Sequence, residues 1–254
     1  MCGIAGFNWP DQELIQQMMH SLRHRGPDDK GFYGDGEASL GHRRLSILDT
    51  SSHGHQPMPY EHLVLVYNGE IYNFQELKKR LEEKGYRFFS HTDTEVILYS
   101  YHLWGPTCVE KFNGMWAFCI YDRKAKTFFL SRDRFGIKPL YYYFDGEKFI
   151  FASELKAIRE HTINPSLNQT ALNYYFYQKY IGGSHTIYNG CYKVQPSENI
   201  TFSLASRRLT KTRYYHLEED IAAQGETPLE RRIESVEETI GEAVQSHLVA
   251  DVPV

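Results

Sequence analysis

The sequence predicts an α+β fold in which sheets are covered by helices on their outer faces. Three observations lead to this prediction: short apolar runs rich in β-branched and aromatic residues, segments with apolar residues at helical spacing, and an Asp-Gly pair between two neighbouring runs. The chain has 254 residues, enough for one large domain or for one domain and part of another.

Six apolar runs are predicted to be strands, because their composition suits a pleated and partly buried surface. Asp145 and Gly146 separate the last two runs, and such a pair supplies the positive φ angles of a two-residue hairpin turn. These two runs are therefore predicted to pair antiparallel. The runs cover residues 4–8, 63–67, 115–121, 127–132, 141–144 and 148–152.

Two consecutive helices are predicted between the second and third of these runs. The first helix begins at Asn73 and ends at Gly85, and the second begins at Thr92. Glu76 and Glu95 each follow the first residue of their helix by three positions, which is the spacing of a capping box. Strands on both sides of a helix pair indicate that the pair covers one face of a sheet.

Apolar stripes predict two further helices, one near each end of the chain. The stripe near the N-terminus stops before Gly26 and Pro27 and consists of Leu14, Ile15, Met18, Met19 and Leu22. The second helix is predicted to be capped at Thr227 and Pro228, with Glu230 in its first turn. Its stripe consists of Leu229, Ile233, Val236, Ile240, Val244 and Leu248.

The composition changes after about Phe202, where residues 203–213 are polar and basic. We therefore predict a first domain over residues 1–205 and, over residues 206–254, a linker with the start of a second domain. The final run, 249–254, is suited to a buried strand that lacks a partner in the sequence after it. From this run we expect the parent protein to be longer.

Composition favours a small molecule as the binding partner. The 28 basic and 32 acidic side chains give a net charge of −4 without a basic cluster, so we expect no binding to nucleic acid or anionic membranes. The apolar runs are far shorter than the roughly 20 residues needed to cross a bilayer. The four cysteines are widely spaced and no secretory signal is apparent, which favours a reducing cytoplasm without disulfides or zinc. His53 and His55 lack a third ligand at suitable spacing, so no metal site is expected.

Cys2 is the candidate nucleophile of the chain. Aminopeptidase removal of Met1 is expected because residue 2 has a small side chain, and Cys2 would then carry a free α-amine. An α-amine with a pKa of about 7.7 to 8.0 can accept a proton from the thiol of the same residue. Taken alone, however, Cys2 is better explained as a small apolar residue that begins a strand.

Three other segments carry groups that could bind a substrate, and each has a structural alternative. Arg44 could bind a carboxylate in a bidentate fork, or it could be a solvated surface residue. Asn68 and Gly69 could stabilise an oxyanion, or they could form a simple turn. Asp93 could bind an ammonium group, or it could complement the dipole of a helix that begins nearby.

Together these segments resemble, in order and spacing, the N-terminal glutaminase domain of glutamine-dependent asparagine synthetases. The resemblance covers nearly all of residues 1–205 and continues through the tail. It departs at Ser197, since the family usually carries Pro-Gly where this chain has Gln195-Pro196-Ser197-Glu198. The matching segments are Cys2-Gly3-Ile4, Arg23 to Asp28, Arg44 to Ile47, Tyr67 to Asn73, Thr92 to Val96, Arg132 to Gly136 and Phe151 to Ala157.

The resemblance implies an N-terminal nucleophile hydrolase fold, a four-layer α/β/β/α sandwich of two antiparallel sheets. It also implies that Cys2 attacks the side-chain amide of glutamine and that Asn68 with the Gly69 N–H stabilises the oxyanion. Glutamate and ammonia would be the products.

By the same resemblance, Arg44 binds the α-carboxylate of glutamine, while Asp93 and Glu70 bind its α-ammonium. Backbone groups of the segment that follows Arg44 would line the same pocket; its residues are Leu45, Ser46, Ile47 and Leu48.

In the family, the ammonia passes to a synthetase domain of the same chain that activates aspartate with ATP and magnesium. No cofactor is therefore expected within residues 1–254, and ATP and magnesium are expected in the synthetase domain. Two alternatives remain: the glutaminase half of a relative that amidates another acceptor, or a non-catalytic docking module. The sequence leaves the oligomeric state open, with a homodimer as one alternative.

Overall fold

The computed structural model describes residues 1–161, 163, 165–223 and 228–252. Its strands are β1 (Gly3–Phe7), β2 (Asp29–Gly34), β3 (Ser39–Arg44), β4 (Met58–Tyr60), β5 (Leu63–Ile71), β6 (Gly114–Asp122), β7 (Thr127–Arg132), β8 (Tyr141–Phe144), β9 (Phe149–Ala152), β10 (Cys191–Lys193), β11 (Glu198–Ser203) and β12 (Leu209–Arg213). Its α-helices are α1 (Gln12–Ser21), α2 (Phe74–Glu82), α3 (Asp93–Trp104), α4 (Leu155–Ile158), α5 (Gln169–Gln178), α6 (Leu217–Ala223) and α7 (Leu229–His247).

The strands form two antiparallel sheets of six strands each within the described residues. Sheet A has the order β10-β8-β9-β1-β3-β2, and sheet B has the order β12-β11-β7-β6-β5-β4. In sheet A, β1 lies between β3 and β9, with Gly3 opposite Arg43 and Ala5 opposite Ala152. In sheet B, β5 pairs with β6 along its whole length. The strand that follows Cys2, β1, and the strand that contains Asn68 and Gly69, β5, are therefore interior strands.

Three clusters of buried side chains separate four layers. One cluster joins α1 and α4 to sheet A, a second fills the space between the sheets, and a third joins α2 and α3 to sheet B. The alternation of side chains along β5 explains this, since Leu63 and Leu65 contribute to the outer cluster while Val64 and Val66 contribute to the inter-sheet cluster. The predicted α/β/β/α sandwich is confirmed.

The structure confirms all six predicted strands and extends two of them. β5 continues to Ile71 and β6 begins at Gly114, so both are longer than their apolar runs. The predicted hairpin is antiparallel, with Phe144 opposite Phe149. Its connection, however, has four residues, because the Asp145 carboxylate accepts hydrogen bonds from the Glu147 and Lys148 amides and forms a wider turn.

The predicted capping boxes formed only in part. Thr92 caps α3 by accepting a hydrogen bond from the Glu95 amide, as expected. The Glu95 carboxylate instead binds the backbone N–H groups of residues 89 and 90. Asn73 makes no capping bond, because its side chain pairs with the backbone of Lys111 and Asn113 in front of β6. These longer-range bonds compete with the local cap.

The C-terminal segment differs from its prediction in its packing. Helix α7 forms, but every residue of its apolar stripe is exposed; Ile240, for example, is 59% exposed. The predicted cap residue Thr227 lies outside the described residues. Residues 249–252 are irregular, with a bend at residues 251 and 252, rather than the expected strand, and residues 253 and 254 are also outside the description. Within the described chain, this segment belongs to neither sheet.

The domain boundary at residue 205 stays a prediction, and sheet B continues beyond it through β12. Ser197, where the family usually has glycine, takes the left-handed conformation that glycine favours, with φ of 56°. Its hydroxyl accepts a hydrogen bond from Arg213 and lies 3.0 Å from the carbonyl oxygen of Tyr215. These contacts hold Ser197, the residue that differs from the family pattern, in a turn next to β12.

Candidate active site

Cys2 lies directly before β1 and is partly buried against the segment that follows β3. Its sulfur is 3.4 Å from the amide nitrogen of Leu45 and 3.6 Å from the carbonyl oxygen of the same residue. Burial raises the pKa of the Cys2 thiol, and the Leu45 N–H partly opposes this shift. The thiol therefore requires a base to become a nucleophile near neutral pH.

Arg25 fixes the backbone of Cys2. Its guanidinium donates one hydrogen bond of 2.8 Å to the Cys2 carbonyl and another of 2.9 Å to the Glu154 carboxylate. Burial raises the pKa of Glu154, but hydrogen bonds from Arg25 and His24 outweigh it and lower the pKa to about 2. The Glu154 carboxylate, which is ionised near neutral pH, therefore holds Arg25 in contact with the Cys2 backbone.

Asn68 and Gly69 lie inside β5 rather than in a turn after it, because the strand continues to Ile71. The Asn68 side chain is buried, and its amide nitrogen has no hydrogen-bond partner within the described structure. A buried donor without a partner is unfavourable unless a ligand satisfies it. A Cβ atom at Gly69 would lie 2.2 Å from the Met115 carbonyl oxygen, so only glycine fits where β5 meets β6.

Glu70 and Asp93 form an acidic pair next to these residues. Burial, followed by the charge of Asp93, raises the pKa of Glu70. Burial also raises the pKa of Asp93, although its carboxylate accepts hydrogen bonds of 2.7 Å from the Tyr67 hydroxyl and 2.8 Å from the Ile71 amide. Two neighbouring carboxyl groups, one buried and one partly buried, resist joint ionisation and therefore favour binding of a cation, which stabilises both charges.

Arg44 is buried and is largely occupied by its own loop. Its guanidinium donates to the carbonyl oxygens of Leu48, Asp49 and Ser51, which uses three of its five N–H groups. It also lines the cavity beside Cys2. The structure therefore gives Arg44 a loop-organising contact that sequence reasoning did not predict, in addition to its place in the pocket wall.

The cavity beside Cys2 brings together most of the predicted site residues. Its walls are formed by Cys2, Arg44, Leu45, Ile47, Leu48, Gly69, Glu70 and Asp93, with Gln56, Tyr67, Thr92 and Thr94 in addition. Ser46, whose amide donates to the Asp28 carboxylate, and the buried Asn68 are not among the wall residues. The last four wall residues had no predicted role in ligand binding, since an uncharged side chain gives no signal of ligand contact without the fold.

The cavity has a volume of about 30 Å³, which is room for about two water molecules. A cavity of about 600 Å³ lies near Asn8 and Trp9, at the other end of β1, but contains no cysteine in its lining. The smaller cavity is the better candidate site because its walls contain the Cys2 thiol together with acidic and basic side chains.

Lys138 is a buried cation near this site that the sequence did not single out. Burial lowers the pKa of Lys138, whereas the charges of Glu70 and Cys2 raise it. Asp133 positions the turn that carries it, by accepting hydrogen bonds from the amides of Phe135, Ile137 and Lys138. The turn belongs to the Arg132 to Gly136 segment, for which the sequence offered a resemblance but no physical role.

The two antiparallel sheets between helical layers form the fold of an N-terminal nucleophile hydrolase, and Cys2 lies directly before an interior strand of that fold. The chain belongs to the family of glutamine amidotransferase domains, which it matches over residues 1–215. The matched range covers most of the chain and includes every candidate site residue.

The chain is similar to longer curated proteins. It is 39% identical to a putative glutamine-hydrolysing asparagine synthetase of Methanocaldococcus jannaschii, covering 100% of this chain and 53% of that protein. It is 35% identical to asparagine synthetase 3 of Bacillus subtilis, a glutamine-hydrolysing enzyme by name, covering 100% of this chain and 42% of that protein. The chain thus spans about half the length of these relatives.

A solved structure supports the fold independently. The glutamine phosphoribosylpyrophosphate amidotransferase of B. subtilis, complexed with ADP and GMP, aligns with a TM-score of 0.63 at 20% identity. The alignment covers 84% of this chain and 49% of that one. In the described residues of our protein, no helix is both long and apolar enough to cross a membrane.

Proposed function

We propose that this chain hydrolyses the side-chain amide of free glutamine to glutamate and ammonia, with Cys2 as the nucleophile. The observation that carries the proposal is the cavity beside Cys2, which has an acidic pair and an arginine in its walls, and the buried, unpartnered amide of Asn68 next to its wall residue Gly69 in sequence adds to it. A free amino acid carries the matching ammonium and carboxylate charges. We further propose that the Glu70 and Asp93 carboxylates bind the ammonium, and that Arg44 with the backbone of residues 45–48 binds the carboxylate.

In this proposal, removal of Met1 exposes the α-amine of Cys2, which accepts the thiol proton. The thiolate attacks the amide carbon, and the Asn68 side chain and the Gly69 N–H stabilise the resulting oxyanion. The α-amine returns the proton to the leaving nitrogen, so that ammonia departs from a thioester. Water then attacks the thioester and releases glutamate.

We also propose that the ammonia serves an ATP-dependent synthetase part of a longer parent chain, which converts aspartate to asparagine. The names and lengths of the relatives support this role. The ATP and magnesium of such a reaction would bind in that synthetase part. The four free cysteines are consistent with the cytoplasm as the expected compartment.

The test is to incubate the purified chain with glutamine and to measure glutamate and ammonia, with an intact mass of the same sample to establish whether Met1 is present. Equal release of glutamate and ammonia, abolished in Cys2→Ala, is the expected result. A chain that starts at Cys2 and releases neither product would contradict the proposal and favour the docking alternative.

A further inference from the structure

The tail that follows α7 makes two hydrogen bonds to the loop after β3. The amide of Asp251 donates to the Ile47 carbonyl oxygen at 3.0 Å. In the opposite direction, the amide of Asp49 donates to the Asp251 carboxylate at 2.7 Å. Asp251 thus binds the loop at two points, although it lies 202 positions after Asp49 in the sequence.

These bonds set the orientation of two peptide groups in the cavity wall. In a trans peptide the carbonyl and the following N–H point in opposite directions. Because the Ile47 carbonyl points toward Asp251, the Leu48 N–H points away from the tail. Ile47 and Leu48 both line the cavity, and within the described residues the Leu48 N–H has no hydrogen-bond partner. This N–H is a free donor at the wall where the substrate carboxylate is proposed to bind.

The other contacts of the loop fix different atoms. Arg44 binds the carbonyl oxygens of Leu48 and Asp49, and the Asp49 carboxylate accepts from the His91 amide. Asp49 has a φ of 51°, a strained conformation for a residue with a side chain. Only the Asp251 bonds, among those of the described residues, reach the Ile47 carbonyl and the Asp49 amide.

A second contact holds the tail in place. The rings of His247, the last residue of α7, and Tyr72, next to β5, pack with centroids 4.0 Å apart. This contact matters because the α7 stripe itself is exposed and does not dock the helix on either sheet. The position of Asp251 is therefore set by a short segment rather than by the packing of the whole helix.

We infer that Asp251 is a positioning residue for glutamine, holding residues 47–49 in the conformation that presents the Leu48 N–H to the substrate carboxylate. The inference rests on the proposed glutaminase function and extends it to a residue outside the pocket. Without the Asp251 carboxylate, this part of the loop must be ordered by glutamine itself, which weakens binding more than it slows the chemistry.

The experiment compares Asp251→Ala with Asp251→Asn in the full 254-residue chain. For Asp251→Ala we expect the KM for glutamine to rise about three- to tenfold, with kcat changed less than about twofold, because one charge-assisted hydrogen bond is lost. Asp251→Asn keeps an acceptor oxygen and should retain a KM near that of the unsubstituted chain. Glu242→Ala, on the exposed surface of α7, is the matched control and should change neither constant.

Amide hydrogen exchange measures whether Asp251 holds the loop, and it does not depend on glutaminase activity. The Asp49 N–H should exchange faster in Asp251→Ala than in Asp251→Asn. An unchanged or lower KM in Asp251→Ala, a loss confined to kcat, or equal effects of the two variants would overturn the inference. If the unsubstituted chain has no glutaminase activity, the proposed function fails, and the exchange of the Asp49 amide still decides whether Asp251 holds the loop.

Discussion

The amide nitrogen of Asn68 is a buried donor without a partner in the described structure, and it predicts a separation between activity and stability. Replacing Asn68 by alanine removes the proposed oxyanion donor, so glutamine turnover should fall about 10²- to 10³-fold. Thermal stability should change little, because that nitrogen makes no hydrogen bond in the folded chain. Glutamate release and thermal melting of the same preparation measure the two effects.

Asn199→Ala is the matched control, since Asn199 is also buried and has an unpartnered side-chain oxygen on β11. The Asn199→Ala variant should turn over glutamine as fast as the unsubstituted chain does. Near-normal turnover in Asn68→Ala would remove this residue from the proposed mechanism.

Glu70 predicts how stability depends on pH. Burial and Asp93 raise the pKa of Glu70 in the folded state, so between its unfolded pKa and about pH 8 the folded chain holds this proton while the unfolded chain loses it. The contribution of Glu70 to stability is therefore full below its unfolded pKa and is lost as the pH rises through the folded pKa. Urea unfolding between pH 5 and pH 8 should show a shallower decline in Glu70→Gln than in the unsubstituted chain.

Glu82→Gln, an exposed residue of α2, is the control for the change of a carboxyl to an amide. It should leave the pH dependence unchanged. Parallel pH profiles for Glu70→Gln and the unsubstituted chain would contradict the raised pKa.

At the scale of a single element, the turn after β7 depends on one buried carboxylate. Asp133 is fully buried and accepts hydrogen bonds from four backbone amides, those of Trp116, Phe135, Ile137 and Lys138. Asp133→Ala leaves these donors unsatisfied and should destabilise the chain by at least about 3 kcal/mol. The free energy of unfolding in urea measures the loss.

Asp145→Ala is a useful comparison, because Asp145 organises the β8–β9 turn in the same way but is exposed. Water can replace its bonds, so that change should destabilise the chain by only about 1 kcal/mol. Equal losses in the two variants would mean that burial does not determine the strength of these turns.

At the scale of the whole molecule, the four layers account for the buried apolar surface, and α7 lies outside them. Ile120 on β6 is fully buried in the cluster between sheet B and its helices, whereas Ile240 on α7 is 59% exposed. Ile120→Ala should lower the free energy of unfolding by about 2 to 5 kcal/mol, and Ile240→Ala by about 0.5 kcal/mol or less. Urea unfolding of both variants checks this. A large loss in Ile240→Ala would show that α7 packs against the sandwich in solution.

Sequence periodicity was a good predictor where burial is decided locally. The spacing of apolar residues in α1 reflects one buried face, and the runs at β6 and β7 are continuous because both faces of an interior strand are buried. The same reasoning misjudged Asn73, whose amide pairs with a segment about 40 residues away instead of capping α2. It also did not predict β2, β3 or α5, where polar residues and glycines obscure the pattern.

The sequence by itself determined the class of fold and the candidate reactive groups, since Cys2, Asn68, Glu70 and Asp93 carry their chemistry in their side chains and follow a recognisable order. The tertiary structure decided how these groups are held. The Arg44 guanidinium serves its own loop, Asp93 binds the end of β5, and Asp251 reaches the same loop from the far end of the chain. Such contacts depend on atoms that folding brings together over tens to hundreds of residues, and local propensity and spacing carry no information about distances of that kind.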